Sequence, residues 1–230
     1  MVSIIRRRNL SKVAALGFMF FSVIIILSVH QDIILAEELK LIQLMKPQTE
    51  ANPLTQLLAK RSSSRDFSSE PLTEQVLANL LWAAFGINRA DSGRRTAPSA
   101  SNRQEIDIYV AMARGLYLYD AKLNVMKPIL AEDVRSVTGT QAFVKEAALN
   151  LIYVADFSKM GSLSDQDKNF YAGADTGFIS ENVYLYCTSV GLATVVRASI
   201  DRPVLAKVMQ LRGDQRITLA QSVGYPRKNK

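Results

Sequence analysis

The chain is 230 residues long and 48% hydrophobic, with 28 Lys+Arg against 21 Asp+Glu and a formal charge of +7. That length and apolar content suit one domain with a real core, and the scattered basic residues argue against a nucleic-acid binder. One histidine, His30, and one cysteine, Cys187, leave no internal disulfide and, beyond residue 36, no Ser-His-Asp, Cys-His or ordinary zinc chemistry.

Residues 1–36 read as a targeting segment rather than as part of the fold. Arg6, Arg7, Arg8 and Lys12 precede an apolar run from Val13 to Val29, and Ile34-Leu35-Ala36 before Glu37-Glu38 resembles a signal-peptidase site. The segment is expected to be an export signal, or a signal anchor if uncut, with the arginines placing the domain outside. Arg7-Arg8-Asn9-Leu10-Ser11-Lys12 resembles the twin-arginine signature, while a basic start suits the general secretory route equally well. Four basic residues and Asp32 give this segment +3 of the +7, so the remainder carries +4.

Residues 37–53 are expected as a linker, of which 37–49 suit a leading helix ending at Pro47. Leu54, Leu57 and Leu58 then give a short helical face before "KRSSSRDF". Thr73 is a good N-cap, with Glu74 at the positive helix end; Val76, Leu77, Leu80, Leu81 and Ala84 form an apolar stripe, and Gly86 a stop. Residues 87–97 read as a polar loop. Residues 105–113 form a strand turning at Arg114-Gly115 into "LYLYD", a hairpin, and 149–155 a buried strand.

The longest helix is expected over 167–190, with Ala172, Gly173, Ala174 and Gly177 allowing close approach and Phe178, Ile179, Val183 and Cys187 filling the core. Gly191 ends it. "ATVVRAS" is a strand, Val204, Leu205, Val208 and Met209 mark a helix, and 216–223 is the last strand. Without regular βαβ alternation the class is α+β.

Phosphate cradles of the GxGxxG and GxxxxGK[ST] types are absent. Asp165, Asp167 and Asn169 imitate a calcium loop, but Phe170 and Thr176 stand where Gly and Glu are needed, so no metal is expected. Arg61-Ser62-Ser63-Ser64-Arg65 is different, since two guanidiniums flanking three hydroxyls suit a phosphate.

Taken in order and spacing, "RSSSRDFSSEPL", "APSASNRQ" and "FISENVYLYCTSVGLATVV" resemble the FMN-dependent nitroreductase family, over 54 to 226. The hairpin "EIDIYVAMARGLYLYD" is similar to the branch holding the azoline dehydrogenases of thiazole and oxazole peptide synthesis. The resemblance implies a sheet flanked by helices in a domain spanning 54–230, and an intertwined homodimer with two FMN sites at its interface. It assigns Arg61, Ser62, Ser63 and Arg65 to the FMN phosphate and ribityl chain. Pro98, Ser99, Ala100 and Asn102 match a loop that the other protomer lays beside the isoalloxazine. Arg197 and Ala198 match the segment at the flavin's reactive edge, and Arg227 or Lys228 a basic C-terminal contact to the phosphate.

The activity implied is oxidation of NAD(P)H or another donor and reduction of an organic acceptor of nitro, quinone or enone type. The flavin carries the chemistry, so no catalytic side chain is required. Nicotinamides are scarce outside the cytoplasm, so an exported domain would need a different donor. An azoline-type dehydrogenase acting on a modified peptide, and a flavin- or ligand-binding module without turnover, are the alternatives. Membrane contact is expected only through an uncleaved N-terminal segment.

Overall fold

The apolar run at 149–155 has no polar side because it lies in the middle of a sheet covered on both faces. The computed structural model describes residues 40–46 and 54–227; the segment 1–36 read as an export signal and Lys228 lie outside the described residues. The strands are β1 (Ile42–Gln43), β2 (Ile87–Arg89), β3 (Arg94–Arg95), β4 (Ile106–Met112), β5 (Gly115–Asp120), β6 (Val125–Leu130), β7 (Leu149–Asp156), β8 (Ala193–Arg197) and β9 (Gln215–Gly224). The helices are α1 (Leu54–Lys60), α2 (Glu74–Phe85), α3 (Asp165–Val190) and α4 (Arg202–Val208). Seven strands form one antiparallel sheet in the order β1-β6-β5-β4-β7-β9-β8, and β2 and β3 pair separately. The α+β expectation holds.

Strand alternation divides the core. Ile106, Ile108 and Val110 of β4 join Leu80, Leu81 and Phe85 of α2 and Ile179, Val183 and Cys187 of α3. Tyr109 and Ala111 point the other way, toward Leu205 and Met209 at α4 and Ile217 of β9. A central strand with both faces covered reads as a continuous apolar run, and all eight residues of β7 are buried.

The helix boundaries follow local chemistry. Thr73 Oγ1 accepts the Val76 amide at 3.3 Å, a cap of about 1 kcal/mol. Ser164 Oγ accepts the Asp167 amide at 3.1 Å, and Asp165 and Asp167 face the positive end of α3. Gly191 closes α3 in the left-handed region at φ 73°, where a side chain would be strained.

Three expectations are corrected. The described part of the leading segment is not helical: Ile42 and Gln43 pair with Met126 and Val125, adding an edge strand. Residues 87–97 are not all loop, because Ile87 and Arg89 pair with Arg95 and Arg94. The hairpin continues into a third strand, β6. Among the described residues no helix is long and apolar enough to cross a membrane.

Candidate functional site

The "RSSSR" segment leaves α1 extended and is tied down from both sides. The Ser64 amide donates to Thr194 O at 2.9 Å, Phe67 bridges Pro226, and the Ser68 amide donates to Tyr225 O at 2.8 Å. Tyr184 of α3 organises it. Its hydroxyl lies 2.8 Å from Ser63 Oγ and accepts the Val196 amide at 2.9 Å, and the Arg61 guanidinium stands over its ring, 5.2 Å from the centroid. Ser62 and Arg65 are exposed. Among the described residues Arg135, Arg212 and Arg227 are ion-paired, whereas Arg61 and Arg65 are in no ion pair. Two guanidiniums without carboxylates, beside exposed hydroxyls, are what an anionic ligand needs.

The 98–104 loop is held in a conformation its side chains do not favour. Ser101, Asn102 and Gln104 have φ of 54°, 53° and 49°, all left-handed; Asn102 tolerates this region, while Ser101 and Gln104 are each strained by roughly 1–2 kcal/mol. Gln104 secures it: Nε2 donates to Gly93 O and Asn102 Oδ1, both at 3.1 Å, while Oε1 accepts Arg95 Nε at 2.7 Å. The Gln104 amide donates to Ser99 Oγ at 3.0 Å, and the Ala100 amide donates to Asp175 Oδ2 of α3 at 2.9 Å. Pro98 and Asn102 are exposed, and Ser99 and Ala100 half-buried. The result is a rigid, small-residue surface.

The cradle and the loop are anchored on different positions of α3. The first rests on Tyr184 and the second on Asp175, nine positions apart on α3. That spacing puts the two on opposite sides of the helix, about 14 Å apart along its axis.

The remaining expected residues are placed differently. Arg197 is buried, and its guanidinium donates to Thr138 O, to Thr138 Oγ1 at 3.0 Å, to Asn150 Oδ1 at 2.7 Å and to Ser222 Oγ at 3.3 Å. With only neutral acceptors around it, burial pulls its pKa down to about 10. Its charged head therefore faces the interior, and exposed Ala198 is what β8 leaves at the surface. Arg227 runs beside the cradle, but its guanidinium is shared by Asp66 at 2.8 Å and Glu146 at 2.6 Å, an arrangement unlike the expected phosphate contact.

Sequence reasoning passed over Tyr184, Asp175 and Gln104. The one available signal was an acid, Asp175, on the core-facing stripe of Ala172, Thr176 and Ile179.

The family model "Nitroreductase family" matches residues 58–225. The Methanocaldococcus jannaschii protein named "Putative nitroreductase MJ1384" is 32% identical over 164 residues, 66% of this chain and 82% of the relative. The crystal structure of a putative nitroreductase from Ralstonia eutropha JMP134 is 39% identical with a TM-score of 0.80, covering 85% of this chain and 93% of that one. The Escherichia coli microcin synthetase McbBCD complex, 17% identical at a TM-score of 0.64 over 98% of this chain and 85% of its own, shares the fold. On these matches the chain belongs to the nitroreductase family and is an oxidoreductase, in a family whose members typically depend on FMN.

Proposed function

We propose that this oxidoreductase is a homodimer with two FMN sites. Each is built from the 61–65 segment of one protomer and the 98–104 loop of its partner, and moves reducing equivalents from NAD(P)H or another donor to a small organic acceptor. The observation that carries this reading is the separation of cradle and loop on opposite sides of α3. A second copy is what would bring one of each together.

The exposed side of α3 supports such a partner. Phe170 and Phe178 are 70% and 49% exposed, so Phe178, expected in the core, faces outward instead, and between them lie Gly173 and Gly177. A Cβ at either glycine would meet nothing within 4 Å. A helix-interior glycine costs about 1 kcal/mol against alanine, and nothing among the described residues requires these two. Close approach of another backbone would.

The residues fit FMN. Arg61 and Arg65, free of ion pairs, with Ser62 and Ser63, would hold the phosphate and ribityl chain. The strained loop, with Ser99, Ala100 and Asn102, would offer a flat wall of small side chains and backbone to a planar ring. The chemistry that FMN supplies when bound is hydride transfer at N5, which needs no imidazole or thiol from the protein. The chain's own contribution is placement: Tyr184 fixes the cradle, Gln104 and Asp175 fix the loop.

The test begins with colour. The protein purified without added flavin should be yellow and release FMN on denaturation; colourless protein that takes up no FMN overturns the reading. Arg61→Ala with Arg65→Ala should largely empty both sites of its homodimer, at roughly 10- to 150-fold in affinity per lost charged hydrogen bond. Ser99→Ala with Asn102→Ala should weaken both sites of its own. A heterodimer of the two, isolated through two tags, should regain about one intact site, and no gain over the parents would mean that each site belongs to one chain.

The segment 1–36 is proposed to direct export, on its basic start and apolar run. If the twin-arginine route is used, Arg7→Lys with Arg8→Lys should leave the protein in the cytoplasm on fractionation, and normal export would point to the general secretory route.

A further inference from the structure

Two carboxyl groups share the space under the 98–104 loop. Glu105 is fully buried, and among the described residues neither of its carboxyl oxygens has a hydrogen-bond donor. Asp175, 2% exposed, reaches the same place from α3 and holds the Ala100 amide. The charged groups acting on Glu105 are Asp175 and, from the loop, Arg103, whose Nη1 donates to Ala100 O at 3.2 Å. On β7, the Asp156 amide donates to the Glu105 carbonyl at 2.9 Å, while the Asp156 carboxylate is engaged by Ser158 and Arg212.

The chemistry of this arrangement is asymmetric. An ionised Glu105 has only its own backbone amide and the Arg103 charge in its favour, and a second carboxylate beside it. A neutral Glu105 has a proton to donate, and Asp175 is an acceptor for it. Burial first, then the neighbouring Asp175, push the Glu105 pKa up to about 7, against the pull of its own backbone amide and, more weakly, of Arg103.

We propose that Glu105 is a positioning residue for the 98–104 loop: as the neutral acid it hydrogen-bonds Asp175, which holds the Ala100 amide, and loss of its proton loosens that anchor. The inference rests on the reading of this loop as a wall of the FMN site. It makes flavin affinity depend on a proton that never touches the flavin. Because the ordered loop favours the protonated form, FMN binding weakens as pH rises from the ordinary carboxyl range to about 7, approaching tenfold per pH unit inside that window for one linked proton, and levels off above it.

The experiment is FMN titration of the wild-type chain and of Glu105→Gln from pH 5.5 to 8.5, followed by flavin fluorescence. The glutamine keeps a donor for Asp175 and cannot ionise. Since the FMN phosphate titrates near pH 6 for both proteins, the difference between them is the readout. The expected result is a wild-type affinity that falls away from that of Glu105→Gln as pH rises to about 7 and stays below it by a constant factor thereafter; profiles parallel over the whole range overturn the proposal. Hydrogen exchange of the 98–104 amides, without flavin and corrected for intrinsic rates, gives an independent readout. Wild-type protection should fall relative to the variant over the same range, and equal protection overturns the proposal even if FMN binds. A difference in exchange without any FMN uptake upholds the anchor and rejects the cofactor reading. If Glu105→Gln does not fold, the wild type alone decides, through an infrared carboxylic-acid band that should vanish near pH 7; absence of such a band from pH 5 to 8 overturns the proposal.

Discussion

Tyr184 and Ser63, 121 positions apart, bring their hydroxyl oxygens within 2.8 Å of each other, and the same phenol accepts the Val196 amide at 2.9 Å. One oxygen thus joins the cradle segment, the long helix and the end of β8. Tyr184→Phe keeps the ring under Arg61 but leaves the amide and the Ser63 hydroxyl without this partner. It should lower stability by about 1–3 kcal/mol in urea unfolding and weaken FMN binding by about tenfold or more. Unchanged stability and affinity would show that water replaces the phenol at no cost.

Gly173→Ala with Gly177→Ala has opposite consequences for a lone protomer and for a dimer. Alone, the helix gains about 1 kcal/mol per position, since neither methyl meets anything. Where a second α3 lies against this side, two methyls in the contact push the helices apart. Sedimentation should show self-association weakened by at least about tenfold, roughly 1.4 kcal/mol, with FMN content falling in parallel. A more stable protein that dimerises as before would place the partner elsewhere.

The raised pKa of Glu105 also makes a stability statement. A carboxyl whose folded pKa is about 7, against an ordinary value of 4.5, binds its proton more tightly when the chain is folded. Its contribution is complete below about pH 4.5 and is lost as pH rises to about 7, on the order of 3 kcal/mol. Asp133, held low by the guanidinium of Arg135, acts at more acid pH, while Asp107, raised by burial, acts in the same direction as Glu105 in both proteins, so the difference between wild type and variant is the readout. Urea unfolding of the flavin-free chain at pH 5 and pH 8 should show a larger loss in the wild type than in Glu105→Gln.

Gly139 tests the inward turn of Arg197. A Cβ there would overlap Arg197 Nη1 and come within 2.9 Å of Cζ, and the guanidinium is fixed by Thr138, Asn150 and Ser222. Gly139→Ala should cost about 1–3 kcal/mol by overpacking, read as a lower midpoint in denaturant with an unchanged slope.

Much of this was legible wherever the signal is local. Thr73 and Gly86 bound α2 as their chemistry requires, Gly191 ends α3, and β4, β5 and β7 follow from period-two or nearly apolar patterns; the start of α3 lies two residues before the expected 167, behind a Ser164 cap that the sequence reading did not name. The third strand of the meander was not legible, because Lys127 and Pro128 interrupt "VMKPIL". The structure absorbs Pro128 where the pairing with β5 shifts register, as a residue without an N–H requires. In the site, guanidiniums flanking serines pointed to an anion, and small residues pointed to a flat wall. The parts that hold them were invisible, since Tyr184 reaches Ser63 and Asp175 reaches Ala100 only through folding. Arg197 shows the same limit. Its direction is decided by Thr138, Asn150 and Ser222, from three separate segments.

Cys187 has a consequence for how the protein handles electrons. It is sealed in the core, and burial pushes its thiol far above the usual range. With no other cysteine in the sequence, the polypeptide offers oxidants and reductants no thiolate to react with. In an anaerobic titration the reducing equivalents taken up would therefore belong to the proposed FMN alone, so the end point would measure its occupancy directly, undisturbed by a drifting protein thiol.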